Sequence, residues 1–278
     1  MWEKLQNLDA RIIYGLLVVS IVVPLVRPMG MRVTVMWTTE KMYKEIESLK
    51  EGSRVMFSHD YSAGTLPELG PMAVVFYKHL AKKNIRVYAV SSVVDGPMFA
   101  TQALSVYQAA GKKYGKDYVN LGYFSGGSSG CTAMLKNIKT IYRADVDGTP
   151  VDQIEMMKDV KDVKDFDLVI SLNSGPVGGA TVDVWIREIS VAYKQKFALG
   201  CTAIMIPINL PYLQAGQCVG ILGGLRGGAE YELLTKEFGD ATLAMDAQSS
   251  GHLLVLSLIL IGNVAYWVTK KSGKAKGA

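Results

Sequence analysis

The stretch RVMFSHDYSAGTLPELGPMAVVFYKHLAKKNIRVYAVSSV, Arg54 to Val93, carries the alternation that decides the fold. RVMFS at its start and IRVYAVSSV at its end are short apolar runs with many strand-favouring residues, which predicts two strands. Between them, Pro67 and Glu68 open a long apolar segment as a helix opens, because proline fits the first turn and acidic residues are common there. The stretch therefore predicts one β–α–β unit.

The same alternation continues along the chain. Three more strands are predicted at 117–124, 165–173 and 201–208, and further helices at 40–50, 97–114, 130–142, 181–196 and 217–236. Most of these strands are apolar on both faces, which is typical of a parallel sheet covered by helices on both sides. The sequence predicts an α/β fold, a Rossmann-like parallel sheet of about five strands with helices on both faces.

Two apolar runs flank this domain: IIYGLLVVSIVVPLV, Ile12 to Val26, and LLVLSLILIGNVAYWV, Leu253 to Val268. With their flanks, each approaches the roughly 20 apolar residues that cross a bilayer as a helix. They predict two membrane anchors, with buried core helices as the alternative for both and a cleaved signal peptide for the first. The predicted organisation is a cytoplasmic stub and anchor at 1–32, the α/β domain at 33–248, and an anchor with a basic tail at 249–278.

The lysine-rich tail sets the predicted orientation, because positively charged flanks stay in the cytoplasm. With two spans, both termini are then cytoplasmic and the large domain is extracytoplasmic, although Arg27 and Arg32 after the first run count against this. Residues 197–225 include no charged side chain, and a third span there would move the N-terminus to the other side. Pro207 and Pro211 interrupt that segment, which favours a buried strand followed by a loop.

Composition excludes several classes of function. The three cysteines have no paired spacing and the three histidines are far apart, so the sequence predicts neither a disulfide framework nor a metal site. The net charge of +5 is modest and includes four tail lysines, which argues against nucleic acid as a partner. No P-loop and no dinucleotide fingerprint is present, so no cofactor is predicted.

Two glycine-rich turns are the candidate ligand sites, because ligands of open parallel sheets bind beyond the carboxyl ends of the strands. Backbone N–H groups in such a turn suit an anion or a nucleotide. The alternative is that both segments are simply tight turns. The candidate binding residues are Ser125, Gly126, Gly127 and Ser128 after the third strand, and Asn173, Ser174 and Gly175 after the fourth.

Three residues are candidates for catalysis. Asp60 and Asp95 follow predicted strands and would present carboxylates at one edge of the sheet; the alternative is that they cap helices. Cys131 opens a predicted helix, where a thiolate is stabilised, and His59 is a candidate base for it. A buried, unreactive cysteine is the alternative.

GILGGLRGGAEYELL, Gly220 to Leu234, concentrates five glycines on the predicted helix 217–236. On that helix, two rows of glycines spaced four residues apart would form a flat face where another backbone packs closely. Arg226 would lie off these rows and pair with Glu230. The alternative is that the glycines break the helix into a loop at a ligand site. The candidate packing residues are Gly220, Gly223, Gly224, Gly227 and Gly228.

GGLRGGAEYE (223–232) and MDAQSSGHLL (245–254), with FSHDYSAGTLPELGPMA (57–73) and DYVNLGY (117–123), resemble a family of uncharacterised prokaryotic membrane-anchored α/β proteins. The resemblance implies a Rossmann-like domain tied to a membrane, and it implies no activity. The predicted function is that of a structural or assembly component, a homo-oligomer or part of a membrane-protein complex, anchored in the lipid bilayer by two helices. The alternatives are a membrane-tethered small-ligand or sensory domain and, third, a hydrolase or transferase.

Overall fold

The computed structural model describes residues 9–27, 29–31, 33–175 and 179–275, the last five of them by their backbone alone. The chain divides into two compact units. One is the α/β domain, Val33–Ala241; the other joins Met1–Arg32 with Thr242–Ala278. By this division the α/β unit ends at Ala241, and the predicted boundary at 248 stays a prediction.

The α/β domain is built on one sheet whose paired strands are all parallel. The strands lie in the order β3-β2-β1-β4-β5-β6, which is the order of the doubly wound dinucleotide-binding folds. The predicted parallel α/β architecture is confirmed, with six strands where about five were expected. The strands are β1 Arg54–Asp60, β2 Arg86–Ser91, β3 Tyr118–Tyr123, β4 Leu168–Asn173, β5 Phe197–Cys201 and β6 Ile221–Gly223.

Helices cover both faces of the sheet, as predicted. Helices α2, α3, α4 and α9 pack on one face, and α5 to α8 pack on the other. Their bounds are α1 Ala10–Val26, α2 Trp37–Ser48, α3 Leu66–Lys82, α4 Gly96–Ala109, α5 Gly127–Lys136, α6 Ile138–Ile141, α7 Val182–Trp185 with a π-helical continuation Ile186–Ala192, α8 Ile206–Gln214, α9 Gly224–Thr235 and α10 Asp240–Ala275.

Alternation along β1 shows how the sequence builds two cores. Val55 and Phe57 enter the core under α2, α3 and α4, whereas Met56 enters the core on the opposite face. All three side chains are fully buried. A strand that is covered on both faces has no place for a solvated side chain, which explains the nearly continuous apolar run.

Two predictions from the segment 197–236 are wrong. The fifth strand is Phe197–Cys201 rather than 201–208, because the chain turns after Cys201 and Pro207 lies in the first turn of α8. The predicted helix 217–236 is instead the edge strand β6 followed by α9. Helix α9 begins at Gly224, directly after β6, and the φ of +63° at Gly224 is a backbone conformation that ends a strand and suits glycine.

The unit formed by the chain ends contains α1 and the greater part of α10. Of the described helices, one, from Asp240 to Lys270, is long and apolar enough to cross a membrane. Helix α1 is apolar but has only 17 residues. Within this unit, a Cβ atom added at Gly251 would lie 3.8 Å from Ile21 Cγ1, so the two helices are in contact there.

Candidate functional site

The crevice beyond β1 and β4 is where this topology offers a ligand site. The helix after β1 covers one face of the sheet and the helix after β4 covers the other, so the two connections separate beyond the strand ends. Asp60, the last residue of β1, is paired in register with Asn173, the last residue of β4. Two of the predicted site residues are therefore neighbours at this switch point.

Asp60 is the centre of a buried hydrogen-bond network and is only 1% exposed. Its Oδ1 accepts hydrogen bonds from Ser58 Oγ at 2.8 Å, from Ser92 N at 2.9 Å and from Ser92 Oγ at 2.6 Å. Its Oδ2 accepts from Ser171 Oγ at 2.8 Å and from Trp185 Nε1 at 2.9 Å. The carboxylate thus joins β1, the end of β2, β4 and α7.

This network leaves Asp60 no free acceptor site for a substrate or a cation. Burial raises the pKa of Asp60, and the hydrogen bonds from Ser92, Ser58 and Ser171 act in the opposite direction. The carboxylate points into the protein and organises the strand ends. The geometry assigns it a positioning role and gives no support to a catalytic one.

Asp95 does not share a site with Asp60. It is partly exposed before α4, makes no side-chain cap to that helix, and accepts from Ala63 N at 3.4 Å. Asp95 therefore links the loop after β1 to the loop after β2. In the described part of the chain, no three His, Cys, Asp or Glu side chains are grouped to hold a metal ion.

Cys131 and His59 lie on opposite faces of the sheet. Cys131 is buried, and burial is the largest cause of the raised pKa of its thiol, which disfavours a thiolate. His59 is fully buried on the other face, 2.5 Å from Tyr77 Oη and 3.2 Å from Tyr61 Oη. Burial lowers the pKa of His59 to about 3. The two residues do not form a nucleophile–base pair.

Backbone geometry accounts for the glycines of the turn after β3. Gly126 and Gly127 have φ values of +95° and +52°. A Cβ atom added at Gly130 would lie 1.8 Å from Ser125 O. These positions need glycine whether or not a ligand binds. Ser125 and Ser128 are exposed at this turn, so an anion there stays a prediction.

Asn173 shapes the turn that follows β4. Its Oδ1 accepts from Gly175 N at 2.9 Å and its Nδ2 donates to Ala180 O at 3.0 Å. Gly175 has a φ of +96°. The amide of Asn173 therefore holds the two described ends of this loop, and its polar atoms are used within the protein.

Two hydroxyl groups near the Asn173 amide have no hydrogen-bond partner among the described residues. They are Ser174 Oγ and Thr202 Oγ1, and both atoms are buried. Each residue stands one position beyond the paired Asn173 and Cys201, at the carboxyl ends of neighbouring strands. The sequence predicted Ser174 as a binding residue but placed Thr202 inside the strand 201–208. No local sequence pattern indicated that the Thr202 hydroxyl would have no partner among the described residues.

The first turn of α3 approaches the same strand ends. Glu68 Oε1 accepts from Ala203 N, directly after Thr202, at 2.7 Å. Thr65 precedes the helix without capping it, since its hydroxyl donates to Ser62 O at 3.2 Å. We call Ser174, Thr202 and Glu68, with the amino end of α3, the switch-point site.

The five glycines of 220–228 pack against this chain itself. They do not share one helix, since Gly220 precedes β6 and Gly223 ends it. A Cβ atom added at Gly220 would lie 2.5 Å from Met42 Cα, and one at Gly228 would lie 2.9 Å from Ala241 Cβ. Close contacts of this kind are also found for Gly223 with Ile206, Gly224 with Ala203 and Gly227 with Leu222.

The predicted pairing of Arg226 with Glu230 is present on α9. Arg226 Nε donates to Glu230 Oε1 at 2.8 Å. The other carboxylate oxygen of Glu230 accepts from Thr39 Oγ1 at 2.7 Å and from Met36 N at 3.0 Å. The pair therefore fixes the segment that enters α2.

Comparisons with known proteins add no family and no relative. The chain matches no protein-family model, and neither curated proteins nor solved structures give a match.

Proposed function

We propose that this chain is a small-ligand-binding domain tethered to a membrane, with the ligand at the switch-point site. The observation that supports this proposal is the pair of buried hydroxyls on Ser174 and Thr202 at neighbouring strand ends. A buried polar group without a partner costs about 1–3 kcal/mol. A ligand that bonds both hydroxyls would remove this cost at the carboxyl edge of the sheet, beyond β4 and β5 and next to the crevice between β1 and β4.

The chemistry of the site favours a neutral ligand that carries hydroxyl groups, such as a polyol, a sugar or a nucleoside. Serine and threonine hydroxyls both donate and accept, and an ionised Glu68 only accepts. No charged residue occurs from Phe197 to Leu225, so this segment supplies no cation to the site. The carboxylate of Glu68 disfavours a strongly anionic ligand at this site.

The membrane tether is proposed to consist of two spans. Helix α1 has one buried residue, Pro24, and its apolar side chains are exposed around the helix, which is typical of a membrane span. Its end is held near the start of α10, because Asp246 accepts from the backbone N–H groups of Met29, Gly30 and Met31 at 2.8–3.1 Å. Ile21 of α1 also lies against Gly251 of α10. These contacts support an antiparallel pair of spans, which would put both termini of the chain on the same side of the membrane. The sequence predicts that this side is the cytoplasm.

Assembly through copies of this chain or other membrane proteins stays a prediction. The sequence supports it by the two predicted anchors, the incomplete set of catalytic residues and the glycine run 220–228, and those glycines contact residues of the same chain. The hydrolase or transferase alternative has no geometric support from Asp60 or Cys131, which are both buried. Ligand binding has support from the described residues, because the buried hydroxyl groups of Ser174 and Thr202 have no hydrogen-bond partner among them.

A thermal-shift screen of the full chain in detergent tests the proposal. Polyols, monosaccharides and nucleosides form one set of compounds, and their phosphorylated forms make the second set. We expect a shift from the first set that is reduced or lost in Thr202→Val and Ser174→Ala. The matched control is Thr235→Val, whose hydroxyl bonds only to carbonyl groups of its own helix. No shift from any compound, or a shift that both site variants retain, would contradict the proposal.

A further inference from the structure

One strongly polar side chain stands within the apolar part of α10. Asn263 interrupts the run Leu253–Val268 and is exposed on the helix. At 1.5 Å per residue, it lies about 15 Å along the axis from Leu253 and about 10 Å from Lys270, the next charged residue. Given the membrane tether proposed above, the amide of Asn263 lies in the hydrocarbon region, where no water is present to bond it.

The amide of Asn263 has one donor and one acceptor that are not used. Its Nδ2 donates to Ile259 O at 3.0 Å, which takes one of its two N–H groups. The other N–H group and Oδ1 have no hydrogen-bond partner among the described residues. A polar side chain without a partner is costly in hydrocarbon, so such side chains face other protein groups in membrane proteins.

The side of α10 that carries Asn263 is turned away from α1. A Cβ atom added at Gly251 would lie 3.8 Å from Ile21 Cγ1 and 4.0 Å from Leu17 Cδ1, so Gly251 is on the side that α1 covers. With 3.6 residues per turn, Asn263 is about 120° around the helix axis from Gly251. The partner of the Asn263 amide therefore has to come from outside this pair of helices.

Large side chains accompany Asn263 on this side of α10. Leu256 is 58% exposed, Ile259 is 53% exposed and Tyr266 is 51% exposed. With Asn263 they follow one another at intervals of three, four and three residues, which is the spacing of the a and d positions of a heptad. We call these four residues the Asn263 face. A helix face with this spacing packs against another helix, and an asparagine at a single a position sets the register of the packing.

We propose that the Asn263 face binds the same face of a second copy of this chain. The proposal rests on the membrane tether and does not involve the ligand site. Two copies that insert in the same orientation have parallel α10 helices, and a twofold axis along the membrane normal places each residue opposite its own copy. The unused N–H group of one Asn263 then donates to Oδ1 of the other, and the reciprocal bond forms with it. Because the two unused groups are one donor and one acceptor, a second copy satisfies both without any other residue.

Energy transfer between copies in vesicles tests the pairing on the full chain. Asp152, an exposed aspartate, is replaced by cysteine and labelled with a donor or an acceptor; the native cysteines are buried, which keeps background labelling low. The labelled protein is diluted stepwise with phosphatidylcholine. Asn263→Leu removes the amide, and Asn263→Gln keeps one. Ser257→Ala is the matched control, because the Ser257 hydroxyl donates to Leu253 O of its own helix.

We expect the parent chain and Ser257→Ala to associate equally. Asn263→Leu should need roughly fivefold or more protein per lipid to reach the same energy transfer, because the bonds between the two amides are lost. Asn263→Gln should associate more strongly than Asn263→Leu. Equal association of Asn263→Leu and the parent chain, or no energy transfer at any dilution, would overturn the inference.

Disulfide crosslinking identifies the face that is in contact. Leu256→Cys and Ile259→Cys are on the Asn263 face, whereas Ile261→Cys, also at an exposed position, is about 160° around the axis from Asn263. We expect mild oxidation to join two copies through positions 256 and 259 and not through position 261. Crosslinking through position 261 alone would overturn the inference, since the copies would then meet on another face.

Alkaline extraction of the same vesicles tests the tether separately. We expect the parent chain and Asn263→Leu to stay with the lipid. Protein that remains in the vesicles without associating would overturn the inference and leave the tether intact. Release of the parent chain from the vesicles would overturn the tether and the inference together.

Discussion

Trp185 donates a buried hydrogen bond from Nε1 to Asp60 Oδ2 at 2.9 Å. The bond joins the end of β1 to α7, on the far side of the switch point. Ser92 N uses the other carboxylate oxygen of Asp60. The indole and the backbone N–H are donors only, so both need the acceptor that Asp60 supplies.

Replacing Asp60 with alanine should therefore destabilise the domain strongly. The change leaves the donors of Trp185 and Ser92 buried without an acceptor, at about 1–3 kcal/mol each. We expect the free energy of unfolding of the detergent-solubilised chain to fall by roughly 3 kcal/mol or more. The control is Asp152→Ala, an exposed aspartate, and equal stability of the two variants would contradict the account.

His59 should make stability depend on pH. Burial lowers the pKa of His59 from 6.5 to about 3. Between these two pH values the imidazole is therefore protonated in the unfolded chain and neutral in the folded protein. The stabilising contribution is complete above pH 6.5 and is lost as the pH falls toward 3. Denaturant titrations should show that His59→Gln removes up to about 1.4 kcal/mol per pH unit of slope in this window. An unchanged slope would show that His59 is not buried in a neutral form.

Gly220→Ala tests whether the glycine run packs inside the domain. The new Cβ would meet the backbone of Met42, and overpacking of this kind costs about 1–3 kcal/mol. Gly64→Ala is the control, because the nearest atom to its added Cβ, Ser62 Oγ, is 4.0 Å away. Thermal unfolding should separate the two variants. If Gly220→Ala instead changed only the oligomeric state, the run would be an external interface.

Asp246 should protect the segment after α1 from hydrogen exchange. Its carboxylate accepts from three consecutive N–H groups, those of Met29, Gly30 and Met31. In Asp246→Asn, an amide NH₂ replaces one acceptor, and we expect exchange at these residues to accelerate roughly tenfold or more. Asp240→Asn, an exposed change at the start of α10, is the control. Unchanged exchange would show that the contact does not hold the segment.

Local signals explain what could be predicted from the sequence. The β–α–β unit of Arg54–Val93 was predictable because its apolar runs and Pro67 act locally. The strand β6 was not, because Ile221–Gly223 is extended only through pairing with β5, and its glycines also fit a helix. The role of Asp60 was missed for a similar reason: Ser92, Ser171 and Trp185 reach it from distant parts of the chain.

Isothermal titration tests the central claim most directly. The compound with the largest thermal shift is titrated into the full chain in detergent, into the double variant Ser174→Ala/Thr202→Val, and into Thr235→Val. The account predicts one site in the parent chain and in Thr235→Val, with affinity reduced by roughly tenfold or more in the double variant. Equal affinity in all three proteins would contradict ligand binding at the switch point.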